Sequence, residues 1–338
     1  MRDSRLAACV GLAALAIGAC SGDGSEVQSS DRCDRDTPAI VFDHETTDPD
    51  RGIGGGVPEV SVVTTGGDAE MITGSWVASQ AAFSPDGEHV VVVKADGDYE
   101  SAGPGSSALW ILGADGSGAR QVTGGRVLDQ DPDWAADGSS IVFVRIHSEA
   151  SGYTSSIATA PSEGGEPTEL LSVTDSSLDE PVWSPDGQRI AFARSVYQVE
   201  TGDVATTVWT MAADGSGARP LAPLPYVESL DWRPDGSSLL VATDHEDETY
   251  TVDARTGQAE SLGTGVELAT WSPDGSSVYY FRHAGGPESR LWSIVEGRVE
   301  DAALVDDRTV LAGDGLSDTI LADVGLYPGF SLAVGPCG

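Results

Sequence analysis

Five times along the chain an aromatic residue opens the same short pattern: Phe83-Ser84-Pro85-Asp86-Gly87, Trp134-Ala135-Ala136-Asp137-Gly138, Trp183-Ser184-Pro185-Asp186-Gly187, Trp232-Arg233-Pro234-Asp235-Gly236 and Trp271-Ser272-Pro273-Asp274-Gly275. The order of residue types has a mechanical meaning. The aromatic ends a buried strand, proline presets a turn φ, the Asp side chain bonds the turn backbone, and glycine takes positive φ. Each copy predicts a tight β-hairpin. A β-rich run follows every turn, at His89 to Val93, Ile141 to Val144, Ile190 to Ala193, Leu239 to Ala242 and Val278 to Phe281. Such runs suit a strand packed between two sheets. Third and fourth strands follow: Leu109-Trp110-Ile111-Leu112 leads through Asp115-Gly116 to Gln121-Val122-Thr123, and Val208-Trp209-Thr210-Met211 leads through Asp214-Gly215 to Arg219-Pro220-Leu221. Weaker copies begin at Ile157, Thr249 and Leu291. Four strands per unit at a period of about 40 to 50 residues is the arithmetic of a β-propeller blade.

The Trp-Ser-Pro-Asp-Gly turn, the Ile190-Ala191-Phe192 strand after it and the later Asp214-Gly215-Ser216-Gly217 hairpin resemble the WD40-like repeats of the TolB family. The resemblance implies an all-β propeller over residues 39–338. Ala39 to Asp43 reads as a second strand, with Glu59 to Thr64 and Glu70 to Thr73 as third and fourth, so the N-terminal unit lacks a first strand. The tail, with strand-like runs at Thr309 to Ala312, Thr319 to Val324 and Phe330 to Val334, can supply it. The expectation is six blades closed by strands from both termini, or seven if the tail builds a blade of its own. Repeats of this kind occur in envelope scaffolds, in sensor ectodomains and ahead of peptidase domains, so they imply architecture more than activity. Residues 20–38 are polar and serve as a tether, too short to form the additional N-terminal domain of TolB. That family's partners therefore do not carry over.

Arg2 and Arg5 precede an apolar run from Leu6 to Ala19, too short for a permanent membrane span, and residues 1–19 read as a signal peptide. The run ends in Ile17-Gly18-Ala19-Cys20, which resembles a bacterial lipobox. Cys20 is the predicted lipidation site; Leu6-Ala7-Ala8-Cys9 has the same pattern with almost no apolar run before it. Two or three acyl chains, such as palmitate, would hold the chain on a membrane stably. The expected location is the extracytoplasmic side of the cell membrane in a bacterial envelope. Removing Cys9 with the signal and lipidating Cys20 leaves Cys33 and Cys337. In an exported protein such a pair predicts a disulfide, here joining the two ends of a closed ring.

The formal charge is -36 over 338 residues, and Lys94 is the single lysine. Nucleic acid and anionic membrane surfaces would be repelled; a cationic partner or a bound cation fits better. On the propeller rule, loops entering first strands and loops joining second to third strands open on one face. The first set carries Asp129, Asp131, Asp179, Glu180, Glu228 and Glu267 near the channel mouth. The second set carries Asp43 and His44, His147 with Glu149, Asp244 and His245, and His283. Two uses of this acidic face follow. One is capture of an envelope protein or basic peptide by a monomeric propeller, with Asp131, Asp179, Glu180, Glu228 and Glu267 as the binding residues. The other is a divalent cation site, calcium on carboxylates or a transition metal on His44, His147, His245 and His283 with Asp43 and Asp244. The run Asp129 to Asp133 is no EF-hand loop, because Trp134 stands where glycine is needed and Ser140 where glutamate is needed.

Catalytic signatures are scarce. No Gly-x-Ser-x-Gly elbow, His-Glu-x-x-His pair or phosphate loop is present. The sequence favours a binding scaffold over an enzyme. A metal-dependent propeller enzyme of lactonase or lyase type, using the histidine and acid face, is the alternative. Trp110, Trp209 and Trp292 recur at one repeat position and are expected to pack between blades.

Overall fold

The computed structural model describes residues 39–46, 57–64, 70–74, 76–96, 106–149, 152–198, 203–243, 248–283, 292–300, 303–311 and 332–334. Cys20, Cys33, Cys337, Asp244 and His245 lie outside the described residues. So do the predicted signal peptide and tether.

The described residues form an all-β propeller of four-stranded antiparallel sheets. Five blades are each continuous in sequence. Blade 1 contains β4 Ala78–Phe83, β5 His89–Asp96, β6 Ser106–Gly113 and β7 Arg120–Gln121. Blade 2 contains β8 Leu128–Trp134, β9 Ser140–Glu149, β10 Gly152–Pro161 and β11 Thr168–Val173. Blade 3 contains β12 Ser177–Trp183, β13 Arg189–Tyr197, β14 Val204–Ala212 and β15 Arg219–Leu224. Blade 4 contains β16 Val227–Trp232, β17 Ser238–Thr243, β18 Thr249–Asp253 and β19 Ala259–Gly263. Blade 5 contains β20 Glu267–Trp271, β21 Val278–His283, β22 Trp292–Glu300 and β23 Ala303–Leu311.

The remaining sheet is assembled from both ends of the chain. It holds β1 Ala39–Thr46, β2 Val57–Thr64 and β3 Glu70–Met71, with β24 Leu332–Val334 paired to β1. The pairing is antiparallel, Ile40 opposite Val334 and Phe42 opposite Leu332. Blades complete in one stretch of chain thus number five, against the expected six or seven, and the extra four-stranded sheet is split between the termini. Among the described residues no seventh sheet occurs. The innermost strands touch in sequence around the axis, and β24 lies between β20 and β4.

Each motif turn is built as its residue types require. In blade 3 Gly187 N–H donates to Ser184 C=O at 2.8 Å with φ at 65°. Asp186 Oδ1 accepts from Ser184 Oγ at 2.6 Å and from Gln188 N–H at 3.0 Å. Ser184 Oγ in turn accepts from Arg189 N–H at 2.9 Å. The Ser184 hydroxyl and the Gln188 amide hold the Asp186 carboxyl below its usual range.

The apolar side chains of adjacent blades share clusters, which is how flat blades bury both faces. Trp110 of blade 1 packs with Val62 and Ile72 of the split sheet. Trp209 stacks on Phe192 with centroids 6.4 Å apart and packs with Val142 and Val144 of blade 2. Both tryptophans belong to inter-blade packing, as expected; the side chain of Trp292 lies outside the described positions. The later Asp-Gly hairpin is equally constrained. A Cβ on Gly215, at φ +82°, would sit 2.7 Å from Leu170 C=O of blade 2. Gly215→Ala therefore combines backbone strain with an inter-blade clash and should lower unfolding free energy by about 1–3 kcal/mol in urea denaturation. A loss below about 0.5 kcal/mol would show that the blades do not approach this closely.

Candidate functional site

The inner strands converge on a cavity of about 110 Å³. It is lined by the three residues before the motif aromatic in every continuous blade: Gln80 to Ala82, Asp131 to Asp133, Glu180 to Val182, Ser229 to Asp231 and Leu268 to Thr270. Each inner strand is irregular at this point. Pairing to the second strand skips at Ser79/Ala82, Gln130/Asp133, Asp179/Val182, Val227/Ser229 and Glu267/Ala269. Four bulge residues are non-glycines in the left-handed region: Gln80 at φ 51°, Asp131 at 52°, Glu180 at 51° and Leu268 at 44°. A side chain there costs on the order of 1–3 kcal/mol, so the surroundings must hold it.

Bonds between blades do so. Gln80 Nε2 donates to Asp131 Oδ1, and Asp131 N–H donates back to Gln80 Oε1 at 3.1 Å. Glu180 N–H donates to Asp131 Oδ2 at 3.3 Å, and Ala269 N–H to Ser229 Oγ at 3.1 Å. One step deeper the linkage alternates. Where the residue before the aromatic is Ala82 or Val182, the next blade's indole reaches back, Trp134 Nε1–H to Ala82 C=O at 3.1 Å and Trp232 Nε1–H to Val182 C=O at 3.3 Å. Where that residue is Asp133 or Asp231, its carboxylate accepts the next blade's main-chain amide, from Trp183 and from Trp271, both at 2.7 Å. The indole N–H groups of Trp183 and Trp271 then have no acceptor among the described residues. The carboxylate has displaced the indole as the link between blades.

These acids are half-buried in the cavity wall, and among the described residues no cation pairs with them. Burial first, and then the charge of Asp231, push the Asp133 carboxyl up to about 7. Burial raises Asp231 to about 6. Asp131 is raised by burial and by Asp179, and Asp179 itself is raised by burial. On the same strand Asp129 has the opposite situation: it is fully buried and bidentate to Arg145, 2.8 Å from Nε and from Nη2. Asp129 is spent inside blade 2, whereas Asp131 and Asp133 face the channel with amide donors alone. Such a pocket favours whatever brings positive charge into it.

The expected residues divide accordingly. Asp131 and Glu180 line the cavity; Asp179 is half-buried beside them and accepts from Ser177 Oγ at 2.8 Å. Glu228 acts electrostatically on Tyr226 together with Asp179, Asp131 and Glu180. Glu267 opens β20, Asp43 and His44 lie in β1 and His283 ends β21, all with side chains outside the described positions. His147 stands apart from the channel acids. Its Nε2 meets Glu169 Oε1 of the outer strand at 2.7 Å, and Glu169 also accepts from Ser156 and Ser172. Among the described residues one group brings three metal-competent atoms within 4.8 Å, the exposed Asp86, Glu88 and His89. It belongs to a first-to-second-strand turn, at the rim opposite the expected face.

Asp133 and Asp231 are the cavity-lining acids that the sequence patterns above do not single out. The available signal was an Asp directly before the motif tryptophan in two of the five copies, at a position where the other copies carry Ala82, Val182 and Thr270. Their raised carboxyls fix the sign of a pH effect. Each acid holds more protons folded than unfolded between about pH 4 and its folded value, so its burial costs stability increasingly as pH rises through that window. Asp133→Asn keeps an acceptor for Trp183 N–H and removes the charge. It should raise Tm at pH 8 and leave it nearly unchanged at pH 4. An equal Tm change at both pH values would refute the assignment.

No protein-family model matches the chain. An uncharacterized peptidase of Bacillus subtilis, YuxL, is 35% identical over 114 residues, 33% of this chain but 16% of that protein's length. The crystal structure of TolB from Acinetobacter baumannii superposes with a TM-score of 0.64 at 14% identity, covering 88% of this chain and 67% of TolB. An oligogalacturonate lyase in complex with manganese superposes with a TM-score of 0.52 at 11% identity, over 72% of each chain. At these identities the likeness is one of fold, and the fold is that of a TolB-like β-propeller.

Proposed function

We propose that the chain is an extracytoplasmic, lipid-anchored binding scaffold, and that the acidic mouth of its channel captures a cationic segment of an envelope protein. The observation that carries this reading is the channel itself. Four carboxyls, Asp131, Asp133, Asp179 and Asp231, are raised by burial while no lysine or arginine lines the cavity among the described residues. An inserted guanidinium or ammonium would supply the missing charge and lower those values, a gain that a neutral ligand cannot provide. The likeness to TolB supports a scaffold. If the mouth is the binding surface, the envelope proteins retained by the wild type should be lost with the Asp131→Asn, Glu180→Gln, Glu228→Gln, Glu267→Gln variant. Identical capture by both would remove the mouth from consideration.

A metal-dependent propeller enzyme is the second reading, favoured by the likeness to a lyase that holds manganese. A divalent cation, calcium or manganese, would then occupy acids of this face. Calorimetric titration with either metal tests this second reading: a saturable heat supports it, and no heat with either metal removes it.

The split sheet makes a sixth blade in this proposal. Its β1 and β24 run antiparallel with Ile40 opposite Val334, so the chain before β1 and the chain after β24 leave at the same end. That arrangement supports Cys33 and Cys337 as a disulfide fastening the ring. The cross-link would close a loop of nearly the whole folded chain, worth on the order of 4 kcal/mol or more in the chain-entropy model. In the membrane fraction the two thiols should resist alkylation until reduced, and Cys20→Ser should move the protein to the soluble fraction. Free thiols, or an unchanged fractionation, would contradict the respective assignment.

A further inference from the structure

Beside the channel mouth, blade 3 carries an exposed apolar surface. Strands β13 and β14 continue past the blade body as a two-stranded ribbon, paired out to Tyr197 with Val204 and closed by Gln198 N–H to Asp203 C=O at 2.8 Å. Near its tip the alternation of buried and exposed positions stops. Val196 is 39% exposed, Tyr197 61% and Val204 46%. Tyr226, which follows the outer strand of the same blade, is 43% exposed. The corresponding ribbon of the preceding blade adds Tyr153, 48% exposed. Five of the seven exposed large apolar side chains among the described residues therefore gather at one rim. Scattered apolar residues need no explanation, but grouping at one edge marks an interaction surface.

The position of the ribbon names the occupant. Ser177 pairs with Ser195 just before the tip, and Asp179 and Glu180 follow along that inner strand into the channel. Tyr226, in the connection from the outer strand of blade 3 to the inner strand of blade 4, feels the charges of Asp179, Asp131, Glu180 and Glu228, so it borders the acidic mouth on the same rim as the ribbon. A phenol there can lie over an inserted cation on one side and an aliphatic chain on the other. With a net charge of -36 the surface repels acidic partners. We infer that the blade 3 ribbon and Tyr226 form a docking shelf for a peptide segment in which basic and aliphatic or aromatic residues alternate, basic side chains entering the channel mouth and apolar ones lying along Tyr197 and Val204, which pair across the ribbon and share one face. The inference rests on the mouth being a cation-binding site, and adds to it a requirement for apolar residues beside the charge. The mouth supplies attraction; the shelf supplies selectivity among basic segments.

Fluorescence anisotropy with two labelled octapeptides tests it, one alternating arginine and leucine, the other arginine and serine. The wild type should bind the arginine–leucine peptide at least ten-fold more tightly. The Tyr197→Ser, Val204→Ser variant changes exposed side chains only; it should lose that preference and keep its affinity for the arginine–serine peptide. Equal affinities in the wild type, or a preference that survives in the variant, would overturn the shelf and leave the acidic mouth standing. No binding of either peptide would overturn both. Concentration-dependent dimerisation abolished by the same variant would assign the ribbon to a second copy of the chain and overturn the peptide.

Discussion

The inner strands of this propeller cannot be regular. Each leaves its ladder register at the bulge before the motif aromatic, and the bonds that join neighbouring blades gather there. The same bulges turn Gln80, Asp131 and Glu180 into left-handed backbone and place their side chains at the channel. Closure of the ring and composition of the channel wall are thus one problem. A residue that links blades is also a residue the channel presents.

This coupling explains the alternation one step deeper. An indole N–H reaching a carbonyl links blades without placing charge in the channel, as Trp134 and Trp232 do. A carboxylate taking the next blade's amide makes an equivalent link and leaves an acid in a low-dielectric wall. The second choice costs desolvation at Asp133 and Asp231 and orphans the indoles of Trp183 and Trp271. Stability alone favours the first. The chain could have carried Ala or Val at both positions, as it does at Ala82 and Val182, and the acids make sense where a cationic group enters the channel.

The blade framework was legible in the sequence because its turns need particular residues. Asp186 accepts the Gln188 amide and Gly187 takes positive φ, and the Asp-Gly pair does the same in every copy. The split sheet was also legible, since an N-terminal unit without a first strand needs one from elsewhere, and β24 supplies it. The channel was only half legible. Asp131 and Glu180 could be placed at the mouth from loop order, but Asp129, three residues after Arg126 and equally acidic in context, is consumed by Arg145 on the next strand. Asp133 was hidden because its role lies in a link to Trp183 N–H of the next blade, a contact that spacing along the chain does not show. His147 pairs with Glu169 on the outer strand, a contact set by strand register and invisible to spacing along the chain.

Binding at the acidic mouth, and not at the opposite rim, is the central claim to test. Site-specific photo-crosslinking in the native envelope decides it, with the crosslinker placed at Glu228 beside the mouth and, separately, at Glu88 in the opposite rim's turn. The mouth position should yield a discrete protein adduct, and the opposite rim should yield none. The same adduct from both positions, or an adduct from Glu88 alone, would contradict a binding site at the acidic mouth.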